Sequence, residues 1–118
     1  MGRTGRFRGV VKQGDIVKVN FNPQQGHEQV GYRPALVISN NDFIANARLA
    51  IVCPITNTRN NFPLHIPLPD TLTTTGVLLC EHIRTLDLNA RQYNFVETVP
   101  ADFLQSVIDI VFAEIEII

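Results

Sequence analysis

Hydrophobic and polar residues alternate along residues 14–21, GDIVKVNF. Val17 and Val19 point to one side of such a segment and Lys18 to the other, which indicates a half-buried β-strand. Shorter apolar runs farther along predict more strands, because stretches rich in Gly, Pro, Asn and Gln separate them. These runs are ALVISN at 35–40, LAIVCPIT at 49–56, LHIPL at 64–68, GVLLCEHIRTL at 76–86 and NFVETV at 94–99.

Three local patterns refine this picture. The prolines around LHIPL favour the edge of a sheet, because proline cannot donate a ladder hydrogen bond. In GVLLCEHIRTL, a period of two would put His82 and Arg84 on the same face. NDFIANAR at 41–48 predicts a helical turn that begins at Asn40 or Asn41, since asparagine is a good N-cap.

Residues 100–118, PADFLQSVIDIVFAEIEII, predict a C-terminal helix. One helical stripe holds Leu104, Val107, Ile108, Val111 and Ile115. Apolar residues also lie off that stripe, namely Phe103, Ile110, Phe112 and the ending EIEII. A second buried face, such as a subunit contact, would account for them.

Many short strands followed by one late helix indicate a mostly β protein of the α+β class. Its sheet would be small and strongly bent, or closed into a barrel, with about five to seven strands. A chain of 118 residues is one domain of ordinary size. We assign residues 12–118 to that domain and residues 1–11 to a basic N-terminal tail, for which both disorder and a non-native origin stay open.

The net charge of −1 hides an uneven distribution. Residues 1–12 hold four basic residues and no acid, so the rest has six basic and eleven acidic residues. A nucleic-acid surface on this acidic body must therefore be local. No signal peptide or membrane span is visible, so we expect a cytoplasmic protein without membrane contact.

The residues that could bind metal or react as thiols carry little signal. Cys53 and Cys80 lie in apolar runs, which favours buried reduced thiols, although a disulfide stays open. The segments HE at 27–28 and CEH at 80–82 lack the spacing of metal motifs, and glycine-rich phosphate loops are absent. We therefore expect neither a metal nor a cofactor.

Three blocks of sequence together resemble one family. They are KQGDIVKVNFNPQQGHEQVGYRPALVIS at 12–39, AIVCPIT at 50–56 and GVLLCEHIRTLD at 76–87. In order and spacing they are similar to the MazF/PemK/Kid-type toxins, the mRNA interferases of type II toxin–antitoxin systems. The resemblance implies an SH3-like barrel of the Kid/CcdB kind, a homodimer, and sequence-specific, metal-independent cleavage of single-stranded RNA. It also implies a cognate antitoxin partner.

RNA cleaves itself when a 2′-hydroxyl attacks the adjacent phosphorus, which gives 2′,3′-cyclic phosphate and 5′-hydroxyl ends. An enzyme must supply a base, donors for the phosphorane oxygens, and an acid. Arg33 could hold two of these oxygens with its planar guanidinium, or be a solvated arginine at a strand start. Glu28 is the candidate base, or a carboxylate that orients Arg33. Thr56 could donate to a phosphoryl oxygen, or cap the turn after its strand. The resemblance favours the catalytic roles of Arg33 and Thr56, and both roles of Glu28 stay open.

His82 departs from the family, which commonly has glutamine at this position. It could be a proton donor, a stacking platform for a base, or a hydrogen-bonding replacement for glutamine, and we prefer the third role. Polar loops and nearby cations would bind the RNA itself, because unpaired bases stack on aromatic rings and bond to amides. The remaining candidate RNA contacts are Arg84, Lys18, Arg59, His27, Gln29, Tyr32 and Asn57.

A second class of function stays open at this point. The same barrel could belong to a non-enzymatic toxin or binding module, for example one that poisons a topoisomerase through its C-terminal helix. Such a binder would not need Glu28, Arg33 and Thr56, so these residues discriminate between the two classes. A plain SH3-like adaptor needs an aromatic groove, and the two tyrosines and Phe62 are too scattered to predict one.

Overall fold

The computed structural model describes residues 11–21, 31–58 and 64–118. Among these residues the strands are β1 (Asp15–Asn20), β2 (Tyr32–Val37), β3 (Ala50–Thr56), β4 (His65–Pro67), β5 (Val77–Leu79), β6 (Arg84–Leu86) and β7 (Tyr93–Thr98). The helices are α1 (Asn41–Ala47) and α2 (Ala101–Ile115). The chain is therefore mostly β with a C-terminal helix, as the sequence predicted.

All strand pairings in the sheet are antiparallel. The strands follow the order β4–β5–β3–β2–β1–β7, and β6 pairs with β3 as well. The proline-flanked β4 lies at one end of this order, as its sequence predicted. Among the described strands no pairing joins β4 to β7, so the sheet is not closed there.

The segment 76–86 is not the single strand that the sequence predicted. β5 pairs with the C-terminal end of β3, where Leu78 is opposite Ile55. β6 pairs with the N-terminal half of β3, where Arg84 is opposite Val52. Between these two pairs the segment advances farther than β3 does, so the surplus residues must leave the ladder.

The surplus residues form a 3-10 turn at Cys80–His82. Side chains in a 3-10 turn do not alternate between two faces as they do in a strand. The alternation of β5 therefore does not continue through the turn into β6. The prediction that His82 and Arg84 share a face through strand alternation is therefore wrong. The sequence gives no hint of this turn, because all of its neighbours suit a strand.

Alternation along β1, β2 and β3 separates the core into two clusters. The first cluster includes Val17, Val19, Phe21, Ala35, Val37, Val52 and Leu86. The second cluster includes Ile16, Leu36, Cys53, Ile55, Leu78, Cys80 and Val107. α2 packs on the second cluster, so the side of the sheet with the first cluster is free of this helix.

The predicted C-terminal helix is confirmed, but its buried stripe differs in part. The predicted members that pack on the second cluster are Leu104, Val107 and Val111. Phe103 and Ile110 also pack there, whereas Ile115 is exposed and Ile108 lies outside the cluster. Residues three and four apart share a helix face, so the sequence is compatible with both the predicted and the observed buried stripe. The shape of the sheet determines which of the two is buried.

The predicted helical turn near residue 41 is confirmed as α1. The Asn40 side chain accepts a hydrogen bond from the Phe43 N–H at 2.8 Å, so Asn40 rather than Asn41 is the N-cap. The helix ends at Arg48, which has a left-handed backbone with φ of 59°. No helix among the described residues is long and apolar enough to cross a membrane.

The boundary of the folded domain lies slightly before the predicted one. Val11, which we assigned to the N-terminal tail, is buried in the first cluster. The remainder of the tail, residues 1–10, lies outside the described residues. Its interpretation as a tail therefore stays a prediction.

Candidate active site

Arg33 and Thr56, two of the predicted catalytic residues, lie on neighbouring strands at the same end of the sheet. In the β2–β3 ladder, Ala35 is opposite Pro54. The ladder ends at this pair, and the same register continued two residues farther along both strands would put Arg33 opposite Thr56. Ala35 belongs to the first cluster. Because side chains alternate along a strand, those of Arg33 and Thr56 are expected on the same side of the sheet as the first cluster. The fold thus brings together two residues that are far apart in the sequence.

The Thr56 hydroxyl has a fixed position at the end of β3. Its side chain is buried, with only 7% of the residue exposed, and Oγ1 accepts a hydrogen bond from the Thr58 N–H at 3.1 Å. This is the turn-capping role that we named as the alternative to catalysis. A hydroxyl that accepts one bond still has its own proton to donate. Capping and catalysis are therefore compatible, because the cap aims the hydroxyl without using its donor.

Arg33 is an exposed residue near the start of β2. Its backbone lies opposite Val19 in the β1–β2 ladder, and Pro34 follows opposite Lys18. The proline ring fixes the backbone φ directly after Arg33. The guanidinium therefore extends from a paired strand rather than from a loop, which suits a group that must hold a precise position.

The loop that carries three predicted site residues begins and ends beside Arg33. The Phe21 N–H donates to the Gly31 carbonyl at 2.9 Å, and this bond joins the two ends of the loop. The predicted residues Glu28, His27 and Gln29, together with Arg59 of another loop, lie outside the described residues. Their roles stay predictions.

Arg84 lies across the end of the first cluster. Its Cζ atom is 5.3 Å from the centroid of the Phe21 ring, which is a cation–π distance. Its Nη1 atom is buried and has no hydrogen-bond partner among the described residues. A buried donor without an acceptor is costly, and a phosphate oxygen is an ideal acceptor for a guanidinium. The buried Nη1 atom is not accessible from solvent, so the predicted role of Arg84 as a phosphate contact stays a prediction.

His82 belongs to a different part of the molecule from Arg84. Its Nε2 atom is 3.6 Å from Oε2 of Glu81, and the same oxygen is 2.6 Å from Nε2 of His65. α2 contributes Glu114, whose pKa is raised by desolvation and by the charge of Glu81. The distance of 3.6 Å between His82 and Glu81 fits an ion pair rather than a hydrogen bond, so the three roles considered for His82 all stay predictions. Sequence reasoning found no signal in His65, although its side chain is only 5% exposed.

Two predicted RNA contacts, Tyr32 and Lys18, project from the side of the sheet opposite to Arg33. The Tyr32 hydroxyl accepts a hydrogen bond from the Asn94 side-chain amide. Lys18 is exposed and lies opposite Asn94 in the β1–β7 ladder. The structure does not bring these two residues together with Arg33 and Thr56.

A cleft of about 550 Å³ opens beside Thr56, and the sequence did not reveal it. One wall is the turn after β3, which includes the predicted RNA contact Asn57. The other wall is residues 68–76, here called the β4–β5 loop. The Asn57 Oδ1 atom accepts a hydrogen bond from the Thr75 hydroxyl at 3.2 Å, which joins the two walls. Gly76 has φ of +121°, and a Cβ there would lie 2.4 Å from the Thr56 carbonyl oxygen, so only glycine fits.

Glu97 of β7 fixes the β4–β5 loop. Its carboxylate accepts four hydrogen bonds, from the N–H and hydroxyl groups of Thr73 and Thr74, at 2.6–3.1 Å. Desolvation alone would raise the pKa of Glu97, but the bonds from Thr74 and Thr73 outweigh it and lower the pKa below its ordinary value of 4.5. The sequence signal for this contact is the run of three threonines before Gly76, whose donors need an acceptor.

Comparison with known proteins identifies the family. The model of the PemK-like, MazF-like toxins of type II toxin–antitoxin systems matches residues 12–112. The chain belongs to this toxin family. Endoribonuclease PemK of Escherichia coli is 33% identical over 111 residues, which cover 90% of this chain and 83% of PemK. Endoribonuclease toxin ChpB of E. coli K12 is 41% identical over 88 residues, which cover 68% of this chain and 72% of ChpB.

Solved structures of the MazF/PemK family share the fold. MazF of Deinococcus radiodurans matches with a TM-score of 0.82 and 37% identity over 89% of this chain and 96% of that one. A MazE–MazF structure from the same organism matches with a TM-score of 0.77 and 37% identity over 89% and 95%. The predictions of the family and of its small barrel-like fold are confirmed.

The two cysteines of this PemK/MazF-type chain are free and buried in the second cluster. A hydrogen bond with Cys80, together with burial, raises the pKa of the Cys53 thiol far above its ordinary value. The interpretation as buried reduced thiols is therefore confirmed. Among the described residues, no three His, Cys, Asp or Glu side chains are grouped to hold a metal ion.

Proposed function

We propose that this protein is the endoribonuclease toxin of a toxin–antitoxin pair, and that it cleaves single-stranded mRNA without a metal ion. The substrate's own 2′-hydroxyl attacks the adjacent phosphorus, and the bond to the 5′-oxygen breaks. The products are a 2′,3′-cyclic phosphate and a 5′-hydroxyl. The endoribonuclease class rests on the family and on its named members PemK, MazF and ChpB.

The observation that carries the mechanism is the pairing of Ala35 with Pro54, since Arg33 and Thr56 each lie two residues from that pair at the same end of the sheet. In the pentacoordinate phosphorane, negative charge develops on the non-bridging oxygens. The guanidinium fork of Arg33 holds two of them, and the Thr56 hydroxyl donates to one. We also assign Arg84, which lies at cation–π distance from Phe21, a contact with a neighbouring phosphate.

Proton transfer is assigned to groups other than Arg33, since a guanidinium does not give up its proton in proteins. Glu28 takes the proton of the 2′-hydroxyl, or it orients Arg33 while water takes that proton. The departing 5′-oxygen receives its proton from water or from a residue in the loop of Glu28. The ends of that loop meet beside Arg33, which agrees with either role.

The partners follow from the family and from the charge distribution. We assign to the protein a cognate antitoxin, whose acidic segment would compete with RNA for the same cations. MazE–MazF structures match this chain, and they show such pairs for the related proteins. We also assign a homodimer, and a cytoplasmic location where mRNA is present.

The test is incubation of the purified protein with a long single-stranded RNA in EDTA, followed by mapping of the ends. We expect cleavage at defined sites that leaves 5′-hydroxyl ends and either 2′,3′-cyclic phosphate or 3′-phosphate ends. A 2′-deoxy or 2′-O-methyl nucleotide at the scissile position removes the nucleophile, so it should block cleavage. Cleavage that needs Mg²⁺ and leaves 5′-phosphates would contradict the mechanism. Tight RNA binding without any cleavage would instead support the non-enzymatic alternative.

A further inference from the structure

We propose that the cleft between Asn57 and the β4–β5 loop is a nucleobase pocket, and that Asp70 selects there a base with an amino group on its Watson–Crick edge. This inference rests on the proposed function. It adds a third segment of the chain, residues 68–76, to those expected to read the RNA sequence. It also names the group that discriminates between bases.

The position of the cleft is the first argument. Thr56 forms part of its lining, so a base in the cleft belongs to a nucleotide at or next to the scissile phosphate. The cleft volume of about 550 Å³ leaves room for a base with its sugar. Pockets of this size commonly hold small ligands.

The lining suits a flat aromatic ring with polar edges. Leu68, Leu72 and Val77 give the cleft an apolar part, and Pro67 and Pro69 add rigid apolar surface. The polar groups are the hydroxyls of several threonines, the Asn57 amide and the Asp70 carboxylate. A base is an apolar ring whose edge bears donors and acceptors, so it matches both parts.

The negative charge of Asp70 favours a base over a phosphate as the group that binds in the cleft. Asp70 is an exposed residue that lines the cleft, and none of the described residues that line it is basic. A phosphate would be repelled there, whereas a neutral base would not. An ionised carboxylate only accepts hydrogen bonds, so it requires a donor on the base. The exocyclic amino groups of cytosine, adenine and guanine are such donors, whereas uracil offers only its ring N3–H between two carbonyl oxygens that a carboxylate repels.

Asn57 supplies the complementary donor. Its Oδ1 atom already accepts the Thr75 hydroxyl, which leaves the amide NH₂ to donate into the cleft. The wall that carries Asp70 is held in place by Glu97 through Thr73 and Thr74. The donor and the acceptor are therefore preorganised on opposite walls, which is what discrimination between bases needs.

The experiment compares the base preference of the parent protein with that of Asp70→Ala. Cleavage sites are first mapped on a long RNA, and short oligonucleotides then carry each of the four bases in turn at each position beside the scissile bond. We expect the parent to prefer an amino-bearing base over uracil at one of these positions. Asp70→Ala should reduce that preference about tenfold at this position alone. The readout is the ratio of the cleavage rates of oligonucleotides that differ in one base. Loss of a negative charge raises the affinity for every RNA equally, so it does not change this ratio.

The matched control is Asp109→Ala, which removes an exposed carboxylate from α2 and should leave the ratios unchanged. Binding of uncleavable 2′-O-methyl oligonucleotides, followed by fluorescence anisotropy, gives the same ratios without catalysis. An unchanged base profile in Asp70→Ala, with normal cleavage and a normal melting temperature, would overturn the pocket. So would a variant that loses only antitoxin affinity, since the occupant would then be protein. A parent protein that neither cleaves nor binds RNA would refute the proposed function itself, which is a different result.

Discussion

Arg33 and Thr56 differ in how the fold fixes them. Thr56 is buried and its oxygen is held by the Thr58 N–H, so the hydroxyl has little freedom. Arg33 is exposed and extends from β2. The fork of the guanidinium must therefore provide much of the orientation at phosphorus, because it accepts only one geometry with two oxygens.

Arg33→Lys should lower kcat strongly, even though it keeps the charge. An ammonium group cannot hold two phosphoryl oxygens in one plane, so part of the transition-state stabilisation is lost, at a cost on the order of 3 kcal/mol. Single-turnover cleavage of an RNA oligonucleotide measures the change. Arg33→Ala should be at least as severe, and neither variant should alter the thermal unfolding much, because the side chain is exposed.

Arg48→Lys is the matched control for this prediction. Arg48 is an exposed arginine at the end of α1, away from Arg33, and it should tolerate lysine without loss of rate. If Arg33→Lys cleaves as fast as the parent, the bidentate contact is wrong and Arg33 acts only as a point charge.

The sequence was sufficient to name candidate catalytic residues from their side-chain chemistry. It was not sufficient to predict which residues contact one another in the fold. The family resemblance named Arg33 and Thr56 as catalytic, and the structure places them at the same end of two neighbouring strands, while their roles stay predictions. The grouping of His82 with Arg84 failed, because the turn at Cys80–His82 changes which way His82 points. The contact of His65 with Glu81 joins residues sixteen apart and depends on the tertiary fold, so no local pattern could have shown it.

The strands around the cleft are short. Side-chain hydrogen bonds, rather than strand pairing, hold the β4–β5 loop in place. The β4–β5 loop has few strand neighbours, and its fixed points are Glu97, Gly76 and the bond between Thr75 and Asn57. Glu97 comes from β7, at the other end of the strand order. One carboxylate thus joins two parts of the sheet that do not pair with each other.

Glu97→Gln should destabilise the protein by about 1 kcal/mol at neutral pH. A neutral amide accepts weaker hydrogen bonds, and the partial exposure of Glu97 keeps the loss at the lower end for bonds to a charged group. The folded state lowers the pKa of Glu97, so its contribution is fully present above the ordinary pKa of 4.5. It is lost as the pH falls through the lower pKa of the folded state. The difference in unfolding free energy between parent and variant should therefore shrink in acid.

Urea unfolding of both proteins at neutral pH and at several values below pH 4.5 measures this difference. Glu116→Gln, at the exposed end of α2, is the control and should match the parent at every pH. A parent–variant difference that stays constant into strong acid would show that the ionised carboxylate of Glu97 does not hold the loop.

The sequence predicted most elements because their apolar patterns are strong. β1, β3, α1 and α2 lie close to their predicted bounds. The break in segment 76–86 could not be predicted, because it arises from the two registers that this segment must adopt against β3. The cleft was missed for a similar reason, since residues 68–76 read as an ordinary loop until Glu97 and Asn57 are placed against them.

At the scale of the whole molecule, the C-terminal end of α2 leaves an apolar surface uncovered. Phe112 is 62% exposed and Ile115 is 70% exposed, and Ile117 and Ile118 follow them. α2 uses its other face to cover the second cluster, so this surface is not part of the domain core. Exposed apolar patches of this kind commonly mark protein interfaces.

We expect the protein to be a two-fold dimer at micromolar concentration, with the end of α2 in the interface. In a two-fold interface the same patch contributes twice, so one substitution affects both sides. Phe112→Glu should therefore give a monomer, because each interface would gain two buried carboxylates without partners. Light scattering coupled to size-exclusion chromatography measures the mass. Ser106→Glu adds the same charge to another exposed side of the same helix, and it should remain a dimer.

The dimer also bears on how an acidic protein binds RNA. Each protomer has a net charge of −1, and the described cations near the catalytic end include Arg33 and Arg84. Two copies related by a two-fold axis could line one path with four such guanidinium groups, which makes the positive field local and strong. Phe112→Glu should then weaken RNA binding as well as dimerisation, although it leaves Arg33 itself unchanged. A parent protein that is monomeric yet fully active, or a Phe112→Glu monomer with unchanged RNA affinity, would refute this arrangement.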